Sequence, residues 1–243
     1  MLHSRPWRET SLLLEVITAN HGRLGLVARG ARRGKGQAGV LQAFHFLQLR
    51  WSPRGELHTL IGAEEIEPLR LPASILPAAL YLNELLLNLL ARHDECGPVY
   101  SIYHHALRRL QAAAALEPVL RDFELDLLDA LGFGLTLDKE CLDGAAVDPG
   151  LWYLYQPRQG LIKIPETVEN AMLGHICLAI AARDWSDSAT RRAAKRLLRR
   201  VLDVHLGQRA LRTRELLRGL ARMQQRKDRA SVEDHGSEAS SPQ

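Results

Sequence analysis

The apolar residues of this chain change their spacing close to residues 72–77, and this change restricts the fold more than any other feature of the sequence. Before that point, short apolar runs of strand length are separated by glycine-bearing turns. From Ala78 onwards, leucines recur at the three- and four-residue spacing of a helix, and Pro72 and Pro77 mark the switch. The pattern predicts an α+β protein, in which a small N-terminal β-barrel is followed by a mainly α-helical domain.

Three parts are predicted along the 243 residues. A β-barrel covers residues 1–77, a helical domain covers residues 78–230, and a disordered tail rich in serine covers residues 231–243. Inside the helical domain, residues 136–165 lose the helical period and are predicted to form a short β-rich insertion. The helices predicted after this insertion span residues 168–182, 189–206 and 213–225.

The net charge of +4 conceals an uneven distribution along the chain. Residues 1–62 contain nine basic and three acidic side chains, residues 63–150 contain six and 15, and residues 151–243 contain 17 and ten. The two basic ends suit phosphate or acidic peptide, whereas the acidic middle would repel nucleic acid. Solvated faces without a partner are the alternative interpretation of each block.

The lengths of the apolar runs and the number of cysteines indicate the cellular compartment of the protein. No run of 18 apolar residues is present, so no membrane span is predicted. Three scattered cysteines, Cys96, Cys141 and Cys177, cannot form a disulfide framework or a four-cysteine zinc site. We therefore expect a reduced, cytoplasmic and nucleoid-associated protein.

A loop rich in glycine and cations follows the strand that is predicted over residues 23–29. Residues 30–39 contain four glycines together with Arg32, Arg33 and Lys35. The spacing differs from that of a nucleotide-binding P-loop, because only three residues separate Gly30 from Gly34 and no hydroxyl residue follows Lys35. The loop instead predicts a mobile cationic segment that can follow a nucleic-acid backbone, with a surface loop that binds nothing as the alternative.

The predicted helix 189–206 carries six cations in two adjacent rows. One row consists of Arg191, Lys195 and Arg199, and the other of Arg192, Arg196 and Arg200. Such rows repel each other unless an anion neutralises them, and duplex DNA, a single strand or an acidic peptide would each suffice. Pairing with acids of the same domain is the alternative.

Enzymatic chemistry is not predicted. Asp122, Asp126 and Asp129 share one helix face, but the apolar stripe opposite them indicates an ordinary solvated face rather than a metal nuclease site. The sequence contains neither G-x-S-x-G nor H-E-x-x-H. We expect no catalytic residue, no cofactor, no bound metal and no small-molecule substrate.

Several stretches of the sequence resemble, in order, those of the bacterial RecO family of recombinational repair proteins. The matching stretches are residues 5–14, 21–24, 27–33, 41–44, 55–60, 81–86, 123–133 and 206–217. The N-terminal stretches and Tyr81-Leu82-Asn83-Glu84 are the most specific. The resemblance implies an N-terminal OB-fold, a helical domain and an inserted segment that binds zinc through four cysteines in many members.

The resemblance also implies function and partners. It implies binding of single- and double-stranded DNA, annealing of complementary strands including those coated with single-stranded-DNA-binding protein (SSB), and binding of the acidic SSB C-terminal tail. It further implies recruitment of RecR and indirect assistance to RecA loading in the RecF pathway. This chain departs from the family pattern at the zinc segment, because Cys141 is followed by Gly144 instead of a second cysteine. We expect a metal-free insert, held by packing of Trp152, Tyr153 and Tyr155.

The sequence and the resemblance together predict a non-enzymatic DNA-binding mediator. The predicted DNA-binding residues are Arg5, Arg8, Arg23, Arg29, Arg32, Arg33 and Lys35. The predicted SSB-tail-binding residues are Arg192, Arg196, Arg199 and Arg200. The alternative is a protein–protein adaptor that docks the SSB tail and has only incidental affinity for DNA.

Overall fold

The computed structural model describes residues 1–33, 37–53, 57–94, 97–112 and 115–219. Several earlier predictions lie partly or wholly outside these ranges: the middle of the cationic loop 30–39 with Lys35, the end of the helical domain 78–230, the end of the predicted helix 213–225 and the tail 231–243.

The N-terminal part is a five-stranded sheet. Its strands are β1 (His3–Trp7), β2 (Ser11–Thr18), β3 (Gly22–Ala28), β4 (His45–Ser52) and β5 (His58–Pro68), and the short helix α1 (Gln37–Val40) lies between β3 and β4. The strands are ordered β1-β2-β3-β5-β4, and only β3 and β5 run parallel. The arrangement fits a partly open OB-type barrel and confirms the predicted α+β class.

Alternating residues of the strands form the core of this sheet. Leu14 of β2 and Leu26 of β3 are directly paired and fully buried. Val16 and Leu24, which pair two residues further along the same strands, are also buried. The two edge strands approach each other just before they begin, where Phe44 N–H donates to the Met1 carbonyl at 3.0 Å. The Met1 amino group also donates to the His45 carbonyl, at 3.1 Å.

The C-terminal part is helical and carries a small second sheet. Its helices are α2 (Leu76–Leu89), α3 (Gly97–Gln111), α4 (Leu116–Ala130), α5 (Gly174–Ala181) and α6 (Ser188–Leu206), and residues 213–219 are also helical. The insertion holds β6 (Trp152–Gln156), β7 (Gly160–Ile164) and β8 (Met172–Leu173), ordered β7-β6-β8. The short β-rich insertion that the sequence predicts is thus present.

The predicted helix 168–182 is wrong in its first part. Helix α5 begins only at Gly174, because Met172 and Leu173 pair with β6 as a third strand. A Cβ atom at Gly174 would lie 1.8 Å from the Asp148 carbonyl oxygen, so only glycine permits this close approach. The helical period of residues 168–173 is therefore overridden by a tertiary contact.

Helix α2 joins separate parts of the molecule through three polar side chains within four residues, Tyr81, Asn83 and Glu84. Tyr81 donates to Glu124 of α4 at 2.7 Å. Asn83 donates to the Leu2 carbonyl at 2.7 Å and accepts from Tyr103 of α3 at 2.6 Å. Glu84 accepts from the Thr213 N–H at 2.9 Å and so caps the helical residues 213–219. The Tyr-Leu-Asn-Glu segment is therefore a structural clasp between the sheet and the helices.

Candidate nucleic-acid interface

Five of the predicted DNA-binding arginines lie together at one end of the sheet, and we call them the N-terminal arginine cluster. The members are Arg5, Arg8, Arg29, Arg32 and Arg33, all of them exposed. Arg5 belongs to β1 and Arg8 to the turn after it, whereas the other three follow the end of β3. Because β1, β2 and β3 are neighbours and Ala28 pairs with Leu12, the turn after β1 and the chain after β3 meet at the same end.

Backbone hydrogen bonds hold the two segments of the cluster together. Arg32 N–H donates to the Thr10 carbonyl at 2.9 Å, and its Nη1 donates to the carbonyls of Glu9 at 3.1 Å and Arg8 at 3.5 Å. Gly30 adopts a φ of +70°, which begins the tight turn closed by Arg33 N–H on the Gly30 carbonyl. Arg32 is therefore both a member of the cluster and the residue that positions it.

The cluster is positively charged without internal compensation. Within the described residues, no ion pair joins any of its five guanidinium groups to a carboxylate. Trp7 lies at the end of β1, with the Arg5 guanidinium carbon 5.9 Å from its ring centroid. An aromatic ring bordered by unpaired arginines suits a nucleic-acid strand, since phosphates attract the cations and bases stack on rings.

Arg23 is placed apart from the cluster, at the opposite end of β3. Its Nε lies 2.9 Å from the Glu15 carboxylate, and its Nη1 donates to the carbonyls of Leu87 at 2.6 Å and Leu90 at 2.9 Å. Burial opposes ionisation of Glu15, but hydrogen bonds from Arg92 and Arg23 outweigh it and lower the pKa of this carboxyl. Arg23 thus satisfies the C-terminal carbonyls of α2, and we assign it a structural role.

Two of the three cations in the first row of α6 are paired with carboxylates of the protein itself. Lys195 lies 2.7 Å from Glu117, and Arg199 lies 3.8 Å from Asp203. Arg191 donates to the Ser186 carbonyl at 2.7 Å and so turns back over the start of the helix. Pairing within the domain, the alternative left open by the sequence, therefore applies to this row, which includes the predicted tail-binding residue Arg199.

The second row contains two exposed arginines, Arg192 and Arg196, and one half-buried arginine, Arg200. Arg192 donates to the Ser188 hydroxyl at 3.0 Å, Arg200 donates to the Tyr155 carbonyl at 3.4 Å, and Arg196 is exposed. Among the described residues, none of these three forms an ion pair with a carboxylate. We call Arg192, Arg196 and Arg200 the α6 arginine row.

A cleft of about 650 Å³ lies between the end of α4, the insertion and the end of α6, and Arg200 reaches its lining residue Tyr155. The residues that give the cleft its character are Phe133, Lys139, Tyr155, Arg158, Val201 and His205. Phe133 is 44% exposed and stacks on the His205 ring, with the centroids 3.8 Å apart. Burial, and then the Arg158 charge, lower the pKa of His205. The cleft combines apolar surface with cations.

Sequence reasoning missed Phe133, Arg158 and His205 as a site, because they come from three separate segments. The one signal available was Gly132-Phe133-Gly134, an apolar ring between two glycines immediately after a helix ends.

The insertion is held by packing. Tyr153 is 2% exposed, and its hydroxyl accepts from the Asp148 N–H at 2.9 Å, while Tyr155 and Leu161 are also buried. Cys141 is exposed and Cys177 is buried. The described part of the chain holds no group of three or more His, Cys, Asp or Glu side chains suited to a metal ion. The donor set of the zinc-binding family members is therefore not assembled by these residues.

The fold and the site define a class: an α+β protein whose OB-type sheet presents an arginine cluster and whose helical part carries a second cationic surface. In the described ranges, no helix has the length and apolar character required to cross a membrane. Residues 1–69 match the family model for the N-terminal part of recombination protein O, and residues 75–215 match the model for its C-terminal part.

Individual relatives agree with the family models. The chain is 46% identical over 220 residues to the DNA repair protein RecO of Methylococcus capsulatus, covering 90% of each protein. It is 44% identical over 227 residues to that of Nitrosococcus oceani, covering 92% of each. For an Escherichia coli relative of the same name, the identity is 40% over 222 residues, covering 90% of this chain and 91% of the relative. The chain belongs to the RecO family, and that membership implies a role in DNA repair and recombination.

Proposed function

We propose that this protein is a non-enzymatic mediator that binds single- and double-stranded DNA and anneals complementary strands, including SSB-coated ones. The observation that carries the proposal is the N-terminal arginine cluster, five exposed guanidinium groups that have no carboxylate partner among the described residues and lie at one end of an OB-type sheet. Phosphate contacts of this kind give affinity without base specificity, as annealing of arbitrary sequences requires.

The mechanism needs no covalent step. Arginines of the cluster neutralise phosphates on two strands at once, so the repulsion between the strands falls and complementary bases can meet. Arg32 keeps the two arginine-bearing segments together through its bonds to Glu9 and Thr10, so the cations face a strand as one surface. No nucleotide is hydrolysed and no metal is used in this proposal.

Family membership supports further partners of the proposed mediator. With RecR, the protein helps to load RecA in the RecF pathway, and SSB is displaced or bypassed as strands are annealed. These partners are proposed from the family resemblance alone, since no surface of the described residues singles out a RecR-binding site.

The test of the proposed function is annealing of complementary oligonucleotides coated with the cognate SSB, in the absence of ATP and divalent metal. We expect annealing to be accelerated and the acceleration to decline as salt rises, because phosphate contacts release counterions. Folded protein that leaves the annealing rate unchanged at low salt would contradict the proposal.

A second candidate function is that of an adaptor which docks the acidic SSB tail. One member of the α6 arginine row reaches the cleft that holds Phe133 and His205, because Arg200 donates to the carbonyl of Tyr155, which lines that cleft. Cations beside an apolar cleft suit a peptide with carboxylates followed by an apolar end. This docking can coexist with DNA binding at the sheet.

Charge reversal separates the two functions. We expect Arg196→Glu/Arg200→Glu to weaken binding of an SSB-tail peptide about tenfold or more, because like charges would then face the acidic peptide. Naked-DNA annealing should stay close to the unmodified rate. The matched control Arg70→Glu/Arg212→Glu makes the same change in net charge at two exposed positions outside the cleft. Equal loss of peptide binding in the control would remove the case for the α6 arginine row.

A further inference from the structure

A second cavity lies at the other end of the sheet, between strand β4, the turn that joins β2 and β3, and helix α3. Its volume is about 250 Å³. Its lining includes the rings of His21, Phe46, Trp51 and Tyr100, and Val16 and Tyr103 are buried residues of the lining. The cavity lies outside both the N-terminal arginine cluster and the cleft beside α6.

The cavity exists because the sheet is open along β4. Strand β4 pairs only with β5, and its contacts with Met1 involve its beginning rather than its length. The residues Leu47, Leu49 and Trp51 pack against the sheet core but stay only partly buried for this reason. Apolar surface that a closed barrel would cover is thus accessible here.

The rings around the cavity pack against neighbouring rings. His21 meets Trp51 edge to face, with ring centroids 5.3 Å apart and planes at 87°. Phe46 packs edge to face on His104 at 4.7 Å, and Tyr100 stacks parallel to the same ring at 6.3 Å. The walls are therefore held in place before any ligand arrives.

The charges around the cavity do not oppose a phosphate backbone. Three carboxylates of β5 lie near β4, and each is paired with a cation or an imidazole. Glu65 lies 2.6 Å from His45 Nδ1, Glu64 lies 4.0 Å from Arg50, and Glu67 pairs with Arg108.

We propose that this cavity binds one unstacked nucleobase of a single DNA strand, an inference that rests on the proposed DNA binding. Its volume is just below the roughly 300–1,000 Å³ of pockets that bind drug-sized ligands, so the cavity suits one planar ring system rather than a larger group. Rings that stack on a base and polar edges of His21 and Asn20 are the recognition chemistry of single strands. A base inside a duplex is stacked on its neighbours and cannot enter.

The position of the cavity allows one strand to use both sites. Ser11 at the beginning of β2 pairs with Trp7, near the arginine cluster, and Thr18 at its end lines the cavity. Eight residues of strand span about 25 Å at roughly 3.3 Å per residue. OB-type domains hold roughly 4–16 nucleotides of single strand, so a strand bound at the cluster can reach the cavity.

The experiment compares single-strand affinity of the full chain with that of His21→Ala/Tyr100→Ala, by fluorescence anisotropy over a salt series. Three probes of equal length are used: a labelled thymine oligonucleotide, an abasic oligonucleotide and a duplex. We expect the variant to bind the thymine strand about 5- to 100-fold more weakly, the range that loss of base stacking produces. The slope of affinity against salt, the duplex affinity and the abasic affinity should not change.

Further variants keep the result interpretable. His21→Phe/Tyr100→Phe retains both rings and should retain most of the affinity. His105→Ala, at an exposed histidine of α3 that is not part of the cavity lining, is the matched control. His21 is exposed on a turn, so His21→Ala alone provides the comparison if the double variant unfolds at a lower temperature. If the unmodified protein binds no DNA, the proposed function fails. If it binds DNA but His21→Ala/Tyr100→Ala binds the thymine strand as tightly as the unmodified protein, the cavity assignment is wrong. The assignment is also wrong if this variant loses affinity for the abasic strand by the same factor as for the thymine strand.

Discussion

The variant Arg5→Ala/Arg8→Ala/Arg29→Ala/Arg33→Ala is expected to lose most of the DNA affinity of this protein. These four side chains are exposed and have no carboxylate partner among the described residues, so their replacement changes phosphate contacts rather than the fold. Each phosphate contact contributes about 0.7 to the slope of log affinity against log salt for a single strand, so the slope should become shallower by about 3. Affinity at low salt should fall on the order of 100-fold, about equally for all sequences.

Arg32 is kept in that variant because its Nη1 holds the turn after β1 through the Glu9 carbonyl. The matched control removes four cations from α6 instead, as Arg192→Ala/Arg196→Ala/Arg199→Ala/Arg200→Ala. Both variants lower the net charge by the same amount, so a general effect of charge would weaken DNA binding equally in both. We expect the α6 variant to keep the slope close to that of the unmodified protein. Equal slopes in the two variants would refute the assignment of DNA binding to the N-terminal arginine cluster.

The parts of the fold that depend on local pattern could be predicted from the sequence. The hairpin of β2 and β3, the helices α2 to α4 and the paired strands of the insertion follow the periods of their apolar residues. The parallel pairing of β3 with β5 has no such local signal, because the two strands are about 30 residues apart and pair over only two residues, Leu26 and Val27. Strand β1 was also missed, since Arg5, Pro6 and Trp7 show no apolar alternation.

The arginines show why residue type alone does not identify a site. Arg23 and Arg29 belong to the same basic stretch, yet Arg23 binds Glu15 and the C-terminal carbonyls of α2, whereas Arg29 is exposed. The carbonyl that receives the Arg23 bond at 2.6 Å lies 64 residues away along the chain. Charge and spacing indicated a basic surface, but only tertiary contacts separate its structural members from those that can meet a phosphate.

The same reasoning applies to α6. Its two cation rows are equivalent in the sequence, and the structure distinguishes them because Glu117 and Asp203 lie beside one row only. The cleft next to the other row is assembled by the end of α4, the insertion and the end of α6, so its apolar and cationic residues are scattered over 74 positions of the sequence, from 132 to 205. No motif of short spacing can reveal a site of this kind.

The variant Asn83→Leu is expected to destabilise the whole molecule by about 3 kcal/mol, because it leaves two buried groups without a hydrogen-bond partner at about 1–3 kcal/mol each. Asn83 is 2% exposed and donates to the Leu2 carbonyl at 2.7 Å, while its oxygen accepts from the Tyr103 hydroxyl at 2.6 Å. Leucine has a similar volume, so the loss is polar rather than steric. Thermal unfolding followed by circular dichroism should show a midpoint lowered by about 6–12 °C for a chain of this size.

A control and a double-mutant cycle show whether this asparagine acts through its two bonds. Asn88→Leu, on the same helix, removes only a local bond to the Glu84 carbonyl at a half-buried position and should cost well below about 1 kcal/mol. Tyr103→Phe removes the hydroxyl that Asn83→Leu leaves unpaired, so the two changes together should cost about 1 kcal/mol less than their sum. If the costs are additive, or if Asn83→Leu costs no more than Asn88→Leu, the clasp between the sheet and the helices does not depend on this side chain. A coupling of the expected size means that α2 and α3 are linked through the buried bond between Asn83 and Tyr103, and the remaining cost of Asn83→Leu then belongs to the Leu2 carbonyl that it leaves unpaired next to the sheet.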